Sequence, residues 1–313
     1  MPAPAIEARN LTKFYGKLKA VDDVSFTVEN GELFGLLGPN GAGKTTTVLM
    51  ICGLLKPTSG EVYVKGLNVQ RNWDKVRKLI GISFQDTMLY EKLTVEETLM
   101  FFARAYGLTY GKAKENTEKM IKIFGLEAKR KILVEKLSGG LKRRLHMAAS
   151  MVHDPELLLL DEPTLGLDPQ ARRRIWEVLE QIREYGKSIL LTTHYMDEAD
   201  RLCDRVAIID HGKIIALDTP SNLKTKYGEG DKLTITVSKN VQAVSENLGK
   251  LDFVKRVDIN GKEVTIVALG GLKRLGEIVA AIQNAGSSIE NLSVVENTLE
   301  DVFIALTGRR LRD

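Results

Sequence analysis

The stretch "GLLGPNGAGKTTT", residues 35–47, decides how the rest of the chain is interpreted. An apolar run leads into it, as expected for a buried strand, and a helix is expected to begin at Lys44. Between them, Gly38–Thr45 matches the pattern of a phosphate-binding loop in the context which that pattern requires. Backbone N–H groups of such a loop curl around phosphate oxygens, while the lysine adds a charge and the threonine hydroxyl can bind Mg²⁺. The stretch therefore predicts a nucleotide site rather than a glycine-rich turn with a chance lysine.

A second stretch, "ELLLLDEP" at residues 156–163, places two carboxylates after an apolar run. Such a run is typical of a strand inside a parallel sheet. Asp161 at its end is positioned to hold Mg²⁺, and Glu162 beside it can polarise an attacking water. Taken alone, the pair could be a polar strand end with no chemical role. Beside a phosphate-binding loop, it predicts that the bound nucleotide is hydrolysed.

A third stretch, "KLSGGLKRRLHMAA" at residues 136–149, puts a hydroxyl and two glycines at the mouth of a basic helix. Unpaired N–H groups and the positive end of the helix dipole point outward there, so the turn is suited to an anion. One chain thus carries two anion sites far apart in sequence. A simpler alternative is a helix capped by its own serine, Ser138.

Bulk composition fits a globular protein of two domains, with 313 residues, 43% hydrophobic and 27% charged. The formal net charge of only +4 does not indicate a nucleic-acid binder. Cys52 and Cys203, in apolar surroundings, are expected to be buried thiols in a reducing compartment. The sequence has neither a secretory leader nor an apolar run long enough to span a bilayer, so a membrane role would need another protein as anchor.

The order of elements predicts an α/β domain followed by a small α+β domain. Strands alternate with helices as in a mainly parallel sheet, and "RVAIIDHGKIIAL" at residues 205–217 is interpreted as one of those strands. Residues 94–124 have a helical pattern that begins with the capping box "TVEE". After a linker near residue 228 the order becomes βαββαβ plus one helix, the ferredoxin-like arrangement, with a hairpin at Asn260-Gly261.

The chain resembles the ATP-binding cassette (ABC) ATPases, the motor subunits of ABC transporters, over about residues 5–227. The resemblance is carried by motifs that occur in the family's order: "KFYG", "GPNGAGKTT", a glutamine in "SFQD", "LSGGLKRR", "LLLLDEPTLGLD" and "TTH". It implies a P-loop ABC ATPase domain, a mixed sheet plus a helical subdomain at about 88–153, within residues 1–228. Residues 229–313 would then form the accessory domain, whose role as a ligand sensor is left open.

The resemblance also explains the second anion site. In the family two copies pack head to tail, and the serine-glycine turn of one copy closes over the γ-phosphate held by the other. It implies ATP and Mg²⁺ as ligands and two sets of nucleotide-binding residues. The cradle set is Tyr15, Gly38, Pro39, Asn40, Gly41, Ala42, Gly43, Lys44, Thr45 and Thr46, and the set acting on the other copy's nucleotide is Ser138, Gly139, Gly140 and Asp168.

Individual roles follow by position in the motifs. Tyr15 resembles the aromatic residue that stacks on adenine, with burial in strand packing as the alternative. His194 resembles the switch histidine that contacts the γ-phosphate and supports Glu162. Gln85 resembles the glutamine that senses Mg²⁺ and the attacking water. The implied catalytic residues are Glu162, His194 and Gln85, and the implied metal ligands are Thr45, Gln85 and Asp161; His146, His153 and His211 are expected to be structural.

Two positions depart from the family pattern. Leu141 stands where the signature loop usually ends in glutamine, which puts membership of the commonest subgroup in doubt but leaves the phosphate donors in place. Leu165 stands where the family often has serine. The signature followed by "KRR", together with the tail "NTLEDVFIALTGRR", resembles the ATPase subunits of ABC-2-type exporters. This implies an ABC-2-type permease and a second copy of the chain as partners, and a cytoplasmic location, peripheral on the inner face of the cell membrane.

A rival from another class is a non-transport ABC ATPase that acts on nucleic acid or ribosomes. The runs "LKRRL", "ARRRI" and "GRRLRD" are basic enough to suggest it. Acidic residues lie near these runs on helices or at the terminus, so solvated faces are the preferred interpretation and no nucleic acid is expected as a partner.

Overall fold

A computed structural model describes residues 2–309 of the chain. Contacts between residues divide it into two compact units, Met1–Leu217 and Asp218–Asp313. This division falls before the helix Pro220–Tyr227 (numbered α8 below), whereas the linker was expected after it, near residue 228. The reason is packing: this helix contacts the C-terminal helix Leu299–Thr307 (α11) and so belongs with the second unit.

The first unit contains two sheets, as in the expected ABC ATPase fold. A four-stranded sheet has the order β2-β1-β4-β5, and a six-stranded sheet has the order β10-β9-β3-β8-β7-β6. Their strands are β1 Ile6–Tyr15, β2 Leu18–Val28, β3 Leu33–Leu37, β4 Ser59–Val64, β5 Leu67–Asn68, β6 Ile80–Ser83, β7 Leu157–Asp161, β8 Ser188–Thr193, β9 Arg205–Asp210 and β10 Lys213–Asp218.

The larger sheet places the ends of distant segments side by side. Strands β3, β7 and β8 are buried along their whole length, as expected for parallel strands covered on both faces. They pair in parallel, with Leu37 opposite Thr193 and Asp161 opposite Thr192. Because parallel strands end at the same edge, the phosphate-binding loop, Glu162 and His194 all follow at that edge. The sheet therefore assembles the site.

One strand assignment from the sequence was wrong. "RVAIIDHGKIIAL" forms the two strands β9 and β10, joined by a two-residue turn, and not a single strand. His211 and Gly212 make the turn with φ of 45° and 78°, the left-handed values that a tight hairpin requires. The apolar residues on both sides of this short turn concealed it in the sequence.

Helices flank the sheets of the first unit. Helix α3 begins with the predicted capping box, in which Thr94 accepts from the N–H of Glu97 and Glu97 accepts from the N–H of Thr94. Helices α3, α4 and α5 contact one another, and α5 also contacts β6. The helices are α1 Lys44–Ile51, α2 Trp73–Leu79, α3 Val95–Ala105, α4 Tyr110–Ile123, α5 Gly139–Met151, α6 Pro169–Glu184 and α7 Met196–Leu202, with 3₁₀ turns at Glu127–Lys129 and Val134–Lys136.

The second unit has its own sheet and core. Its elements are α8 Pro220–Tyr227, β11 Asp231–Val237, α9 Val241–Gly249, β12 Val254–Asn260, β13 Glu263–Ala268, α10 Leu275–Asn284, β14 Ile289–Val295 and α11 Leu299–Thr307. The strands pair antiparallel in the order β12-β13-β11-β14, and the inward residues of β11 pack with those of α9 and α10. From β11 to β14 the order is βαββαβ, and the β12–β13 turn contains Gly261 with φ 61°.

Candidate nucleotide site

The loop between β3 and α1 has the backbone that a phosphate cradle needs. Gly41 and Gly43 have φ of 79° and 103°, which residues with a side chain rarely adopt. A Cβ on Gly43 would lie 2.5 Å from the carbonyl oxygen of Ala20, so glycine is required there for space as well. The N–H groups at the start of α1 therefore lie open to an anion.

Lys44 directs its ammonium group into this loop. The amine donates to the carbonyl oxygens of Gly38 at 2.7 Å and Pro39 at 3.0 Å, and lies 3.0 Å from Oε1 of Glu162. The side chain is only 5% exposed, so its charge is concentrated on the loop rather than shared with solvent. These contacts account for all three N–H bonds of an ammonium group.

Thr45 and Asp161 form an oxygen pair beside the loop. The Thr45 hydroxyl donates to Oδ2 of Asp161 at 2.8 Å, and Thr192 donates to Oδ1 of the same carboxylate at 2.6 Å. Two oxygens bound side by side to one Mg²⁺ at 2.0–2.1 Å lie about 2.9 Å apart, so this pair fits that ion. Within residues 2–309 no group of three or more His, Cys, Asp and Glu side chains could hold a metal. Mg²⁺ commonly binds in this way, through one carboxylate, a hydroxyl and substrate phosphates.

Glu162 is held at both of its carboxylate oxygens. Oε1 faces Lys44, and Oε2 lies 2.7 Å from Nδ1 of His194. Because a carboxylate can only accept, Nδ1 of the imidazole is the donor. The backbone of Glu162 has φ 49°, an uncommon value for a residue with a side chain, and its N–H donates to the carbonyl and the hydroxyl of Thr192. Backbone strain of this kind is frequent at functional sites.

A groove of about 450 Å³ joins most of the cradle residues. It is lined by Tyr15, Leu18, Ala20, Asn40, Gly41, Gly43, Lys44, Thr45, Thr46, Gln85, Glu162 and Leu165. Tyr15 is 47% exposed at the end of β1, which excludes the alternative of buried strand packing. Gln85 is also exposed, just beyond β6. Gly38, Pro39 and Ala42 lie in the loop beneath the groove.

The residues around Ser138 form a separate groove that shares no lining residue with the first. It is lined by Ser138, Gly140, Leu141, Arg144, Asp168, Gln170, Ala171 and Arg174. The Ser138 hydroxyl is exposed and makes no capping hydrogen bond to α5, so the self-capped helix expected as an alternative is not formed. Asp168 has a local task as well, because its Oδ1 accepts from the N–H of Ala171 and caps α6.

Arg143 is the residue near the site that the sequence interpretation placed wrongly. Its run "LKRRL" was expected to be solvated, yet Arg143 is 4% exposed. It shares a helix face with Met147 and Ser150, which are also buried, but a charge at such a position is normally exposed. Only helical phase could have indicated this burial from the sequence.

His146, His153 and the two cysteines behave as structural side chains. Burial, and secondarily the cation of Arg143, lowers the pKa of His146 to about 4, and its Nδ1 lies 3.1 Å from the hydroxyl of Ser83. Burial also lowers the pKa of His153 to about 4, and its ring stacks on Tyr106. Both cysteines are buried free thiols, and burial raises the pKa of Cys52 to about 11.

A buried-strand sheet, a loop of left-handed glycines and an inward lysine define a P-loop nucleotide-binding protein. Comparison with known proteins makes this more specific. The family model described as ABC transporter matches residues 21–165.

Sequence similarity to individual proteins extends over almost the whole chain. The linearmycin resistance ATP-binding protein of Bacillus subtilis is 40% identical over 310 residues, covering 98% of this chain and 100% of that protein. The Nod factor export ATP-binding protein I of Paraburkholderia xenovorans is 40% identical over 313 residues, covering 100% of both. Among solved structures, a dimeric ATP-binding cassette in a post-hydrolysis state with ADP and Pi aligns with a TM-score of 0.62 and 27% identity, covering 68% of this chain and 98% of that one. The chain therefore belongs to the ABC transporter family and is an ATP-binding subunit of it.

Proposed function

We propose that this chain hydrolyses ATP as the motor subunit of an ABC exporter, at a site that a second copy of the chain completes. The observation that carries the proposal is the position of Glu162, whose carboxylate lies between Lys44 and His194 beside the Thr45–Asp161 pair. A carboxylate held at this place can accept a proton from water next to a γ-phosphate.

The chain's own groups divide the work. Loop N–H groups and the Lys44 amine bind the phosphates, and Lys44 exchanges a hydrogen bond to its own loop for one to the nucleotide. Mg²⁺, held by Thr45 and Asp161 and sensed by Gln85, would neutralise phosphate charge. Glu162 orients and deprotonates the attacking water. His194 keeps that carboxylate in place through Nδ1, and its place in the family pattern implies that it also contacts the γ-phosphate.

The separate groove at Ser138 supports a shared site. A hydroxyl that does not cap its own helix, two glycines and the N-terminus of the 13-residue helix α5 form an anion-binding turn with no phosphate cradle of its own. Two copies related by a twofold axis would bring each turn to the other copy's cradle, which makes the interface self-complementary. Asp168, which caps the N-terminus of α6, would lie at the seam between the two copies.

Transport is the proposed use of the hydrolysis. One relative is named for Nod factor export and another for linearmycin resistance, and both are covered over their whole length. No helix within residues 2–309 is both long enough and apolar enough to cross a membrane. We place the chain on the cytoplasmic face of the cell membrane, bound to an ABC-2-type permease. We assign residues 1–217 to the cassette, with the helical subdomain at about 88–153, and residues 218–313 to the accessory domain.

Nucleic-acid binding gains no support from the basic runs. Arg143 is buried, Arg144 donates to the carbonyl oxygen of Phe124, and Arg172 lies over the ring of Tyr195 with its Cζ 4.1 Å from the ring centroid. These side chains are used within the protein rather than displayed as a stripe. The run "GRRLRD" lies largely outside the described residues.

The variant Glu162→Gln tests the proposal. We expect ATP turnover to fall at least about 100-fold while ATP binding persists, because the amide keeps the shape but cannot take a proton. The ATP-bound dimer should then accumulate and elute ahead of the monomer in gel filtration. Glu184→Gln, an exposed carboxylate at the end of α6, is the matched control and should behave as wild type. Normal turnover by Glu162→Gln would contradict the proposed base.

A further inference from the structure

Arg143 lies in the first turns of α5, and its guanidinium group is buried with every N–H bond in use. Nε donates to Pro163 at 2.7 Å, and Nη1 donates to Phe84 at 2.6 Å and Gln85 at 2.7 Å. Nη2 donates to Asp161 at 3.0 Å and Glu162 at 2.5 Å. All five acceptors are main-chain carbonyl oxygens, and five is the full number of donors on arginine.

These carbonyls belong to two loops that carry the proposed chemistry. Phe84 and Gln85 follow β6, and residues 161–163 begin at the last residue of the neighbouring strand β7. In the part of the chain that the structure describes, Arg143 makes no salt bridge, and burial lowers its pKa despite the carboxylates nearby. A buried guanidinium without an ion-pair partner is costly, so the five hydrogen bonds are the compensation that makes the position tolerable.

The contact to Glu162 is the most consequential of the five. The backbone of Glu162 adopts φ 49°, which a residue with a side chain leaves readily unless its surroundings hold it. Its N–H is held by Thr192 of β8, and its carbonyl is held by Arg143. The direction of its carboxylate, toward Lys44 and His194, therefore depends on the two peptide units that flank its Cα, one held by Thr192 and the other by Arg143.

We propose that Arg143 is a positioning residue for hydrolysis: it sets the places of Glu162 and Gln85 by binding their main-chain carbonyls. The inference rests on the proposed function, because it assumes that Glu162 is the base. Arg143 also lies five residues after Ser138 on the helix that Ser138 precedes. In the proposed dimer it connects the turn that closes over one nucleotide with the loops that act on the other.

The conservative variant Arg143→Lys separates positioning from simple support of the fold. A lysine keeps the charge but offers at most three donors from a single atom, so it cannot span both loops. We expect kcat to fall about tenfold or more, since small misplacements of a catalytic group are costly, while KM for ATP changes less than about twofold. The cradle residues that bind ATP make no contact with Arg143 through their side chains, which is why KM should hold. Arg173→Lys, at an exposed arginine of α6, is the control and should match wild type.

Each turnover rate is divided by the concentration of nucleotide-binding sites, which is measured by titration with a fluorescent ATP analogue. Unfolded protein, which binds no nucleotide, is therefore excluded from the comparison. Arg143→Gln is the second variant, with a shorter side chain and two donors, and should lower kcat further than the lysine. Wild-type kcat in either variant would overturn the inference, and so would a fall in kcat/KM that arises from KM alone.

A double-mutant cycle with Glu162→Gln provides the decisive readout. If Arg143 acts through Glu162, then Arg143→Lys lowers the single-turnover rate about tenfold in the wild-type background but less than about twofold in the Glu162→Gln background. The same factor in both backgrounds would mean a general structural role and would overturn the inference. Failure of the proposed function looks different, because Glu162→Gln alone would then turn over ATP normally.

Discussion

Helices α1 and α5 both begin at an anion-seeking turn, yet the two turns are completed in different ways. At α1, the chain supplies everything around the loop: Lys44 folds back on it, and Thr45 meets Asp161 across 116 residues of sequence. At α5, Ser138 leaves its hydroxyl without a capping bond, and its groove contains no cradle. The same local physics thus produces one turn that its own chain surrounds and one open turn, which in the proposed dimer is a half site.

The contrast shows that a helix N-terminus becomes a nucleotide site only when the fold places further polar side chains beside it. Carbonyl and carboxylate partners converge on α1 because β3, β7 and β8 end at one sheet edge. The start of α5 is held instead by side chains further along the same helix, because Arg143 donates to the carbonyl oxygen of Glu162 and His146 lies within hydrogen-bond distance of Ser83. Four predictions test this contrast.

The largest effect is expected from Lys44→Ala, which breaks the complete site. Loss of the only loop ammonium should weaken ATP binding at least about 100-fold, since hydrogen bonds from a charged donor to phosphate are strong. Isothermal titration calorimetry measures this directly. Lys75→Ala, an exposed lysine of α2, is the matched control. Tight ATP binding by Lys44→Ala would remove the distinction between the two helix starts.

Ser138→Arg should break the half site alone. The bulky cation blocks the turn, and it adds charge next to Arg144 and Arg174 in the same groove. We expect turnover to fall about 100-fold, as when a phosphate-facing donor is lost. ATP-driven dimerisation, followed by gel filtration, should be lost too, while the monomer binds ATP with an affinity within about twofold of wild type. A wild-type dimer in this variant would mean that Ser138 faces no nucleotide.

Acid should lower the free energy of unfolding through His146, a buried residue of α5. His146 is neutral when folded, since its pKa of about 4 lies below the 6.5 of an exposed histidine. Unfolding lets it take up a proton, so its stabilising contribution is present above pH 6.5 and is lost as pH falls toward 4. Between pH 7 and pH 5 this one group should cost about 2 kcal/mol of unfolding free energy.

Urea unfolding followed by tryptophan fluorescence can measure it. The only two tryptophans, Trp73 and Trp176, both lie in the first unit, so the signal reports on that unit. His146→Gln removes the titrating group and should flatten the dependence on pH relative to wild type. Parallel curves for the two proteins would show that His146 does not contribute.

The smallest effect compares two helix caps. Thr94→Ala removes a hydroxyl that caps α3 and should cost about 1 kcal/mol of unfolding free energy. Ser138→Ala should cost less than about 0.5 kcal/mol, because no capping bond is lost. The same urea assay at pH 7 without nucleotide checks both. Equal losses would mean that Ser138 caps its helix in solution, and the half site would lose its main support.

Much of the molecule could be predicted from the sequence because the relevant signals are local. A phosphate-binding loop is specified by consecutive residues, so Gly38–Thr45 and the start of α1 were found where the pattern placed them. The capping box at Thr94 and Glu97 depends on a spacing of three residues and was confirmed. The hairpin β9–β10 was missed because its turn, His211-Gly212, is short and both flanks are equally apolar.

The sequence by itself determined that the chain has a nucleotide loop, two adjacent carboxylates, a serine-glycine turn and an α/β unit followed by an α+β unit. Only the tertiary structure decided which of these groups meet. It joined Glu162 to His194, buried Arg143 among the carbonyls of two loops and left the Ser138 hydroxyl without a capping bond. The physical reason is that backbone conformation follows from neighbouring residues, whereas contacts between distant segments follow from which strands pair in the sheet.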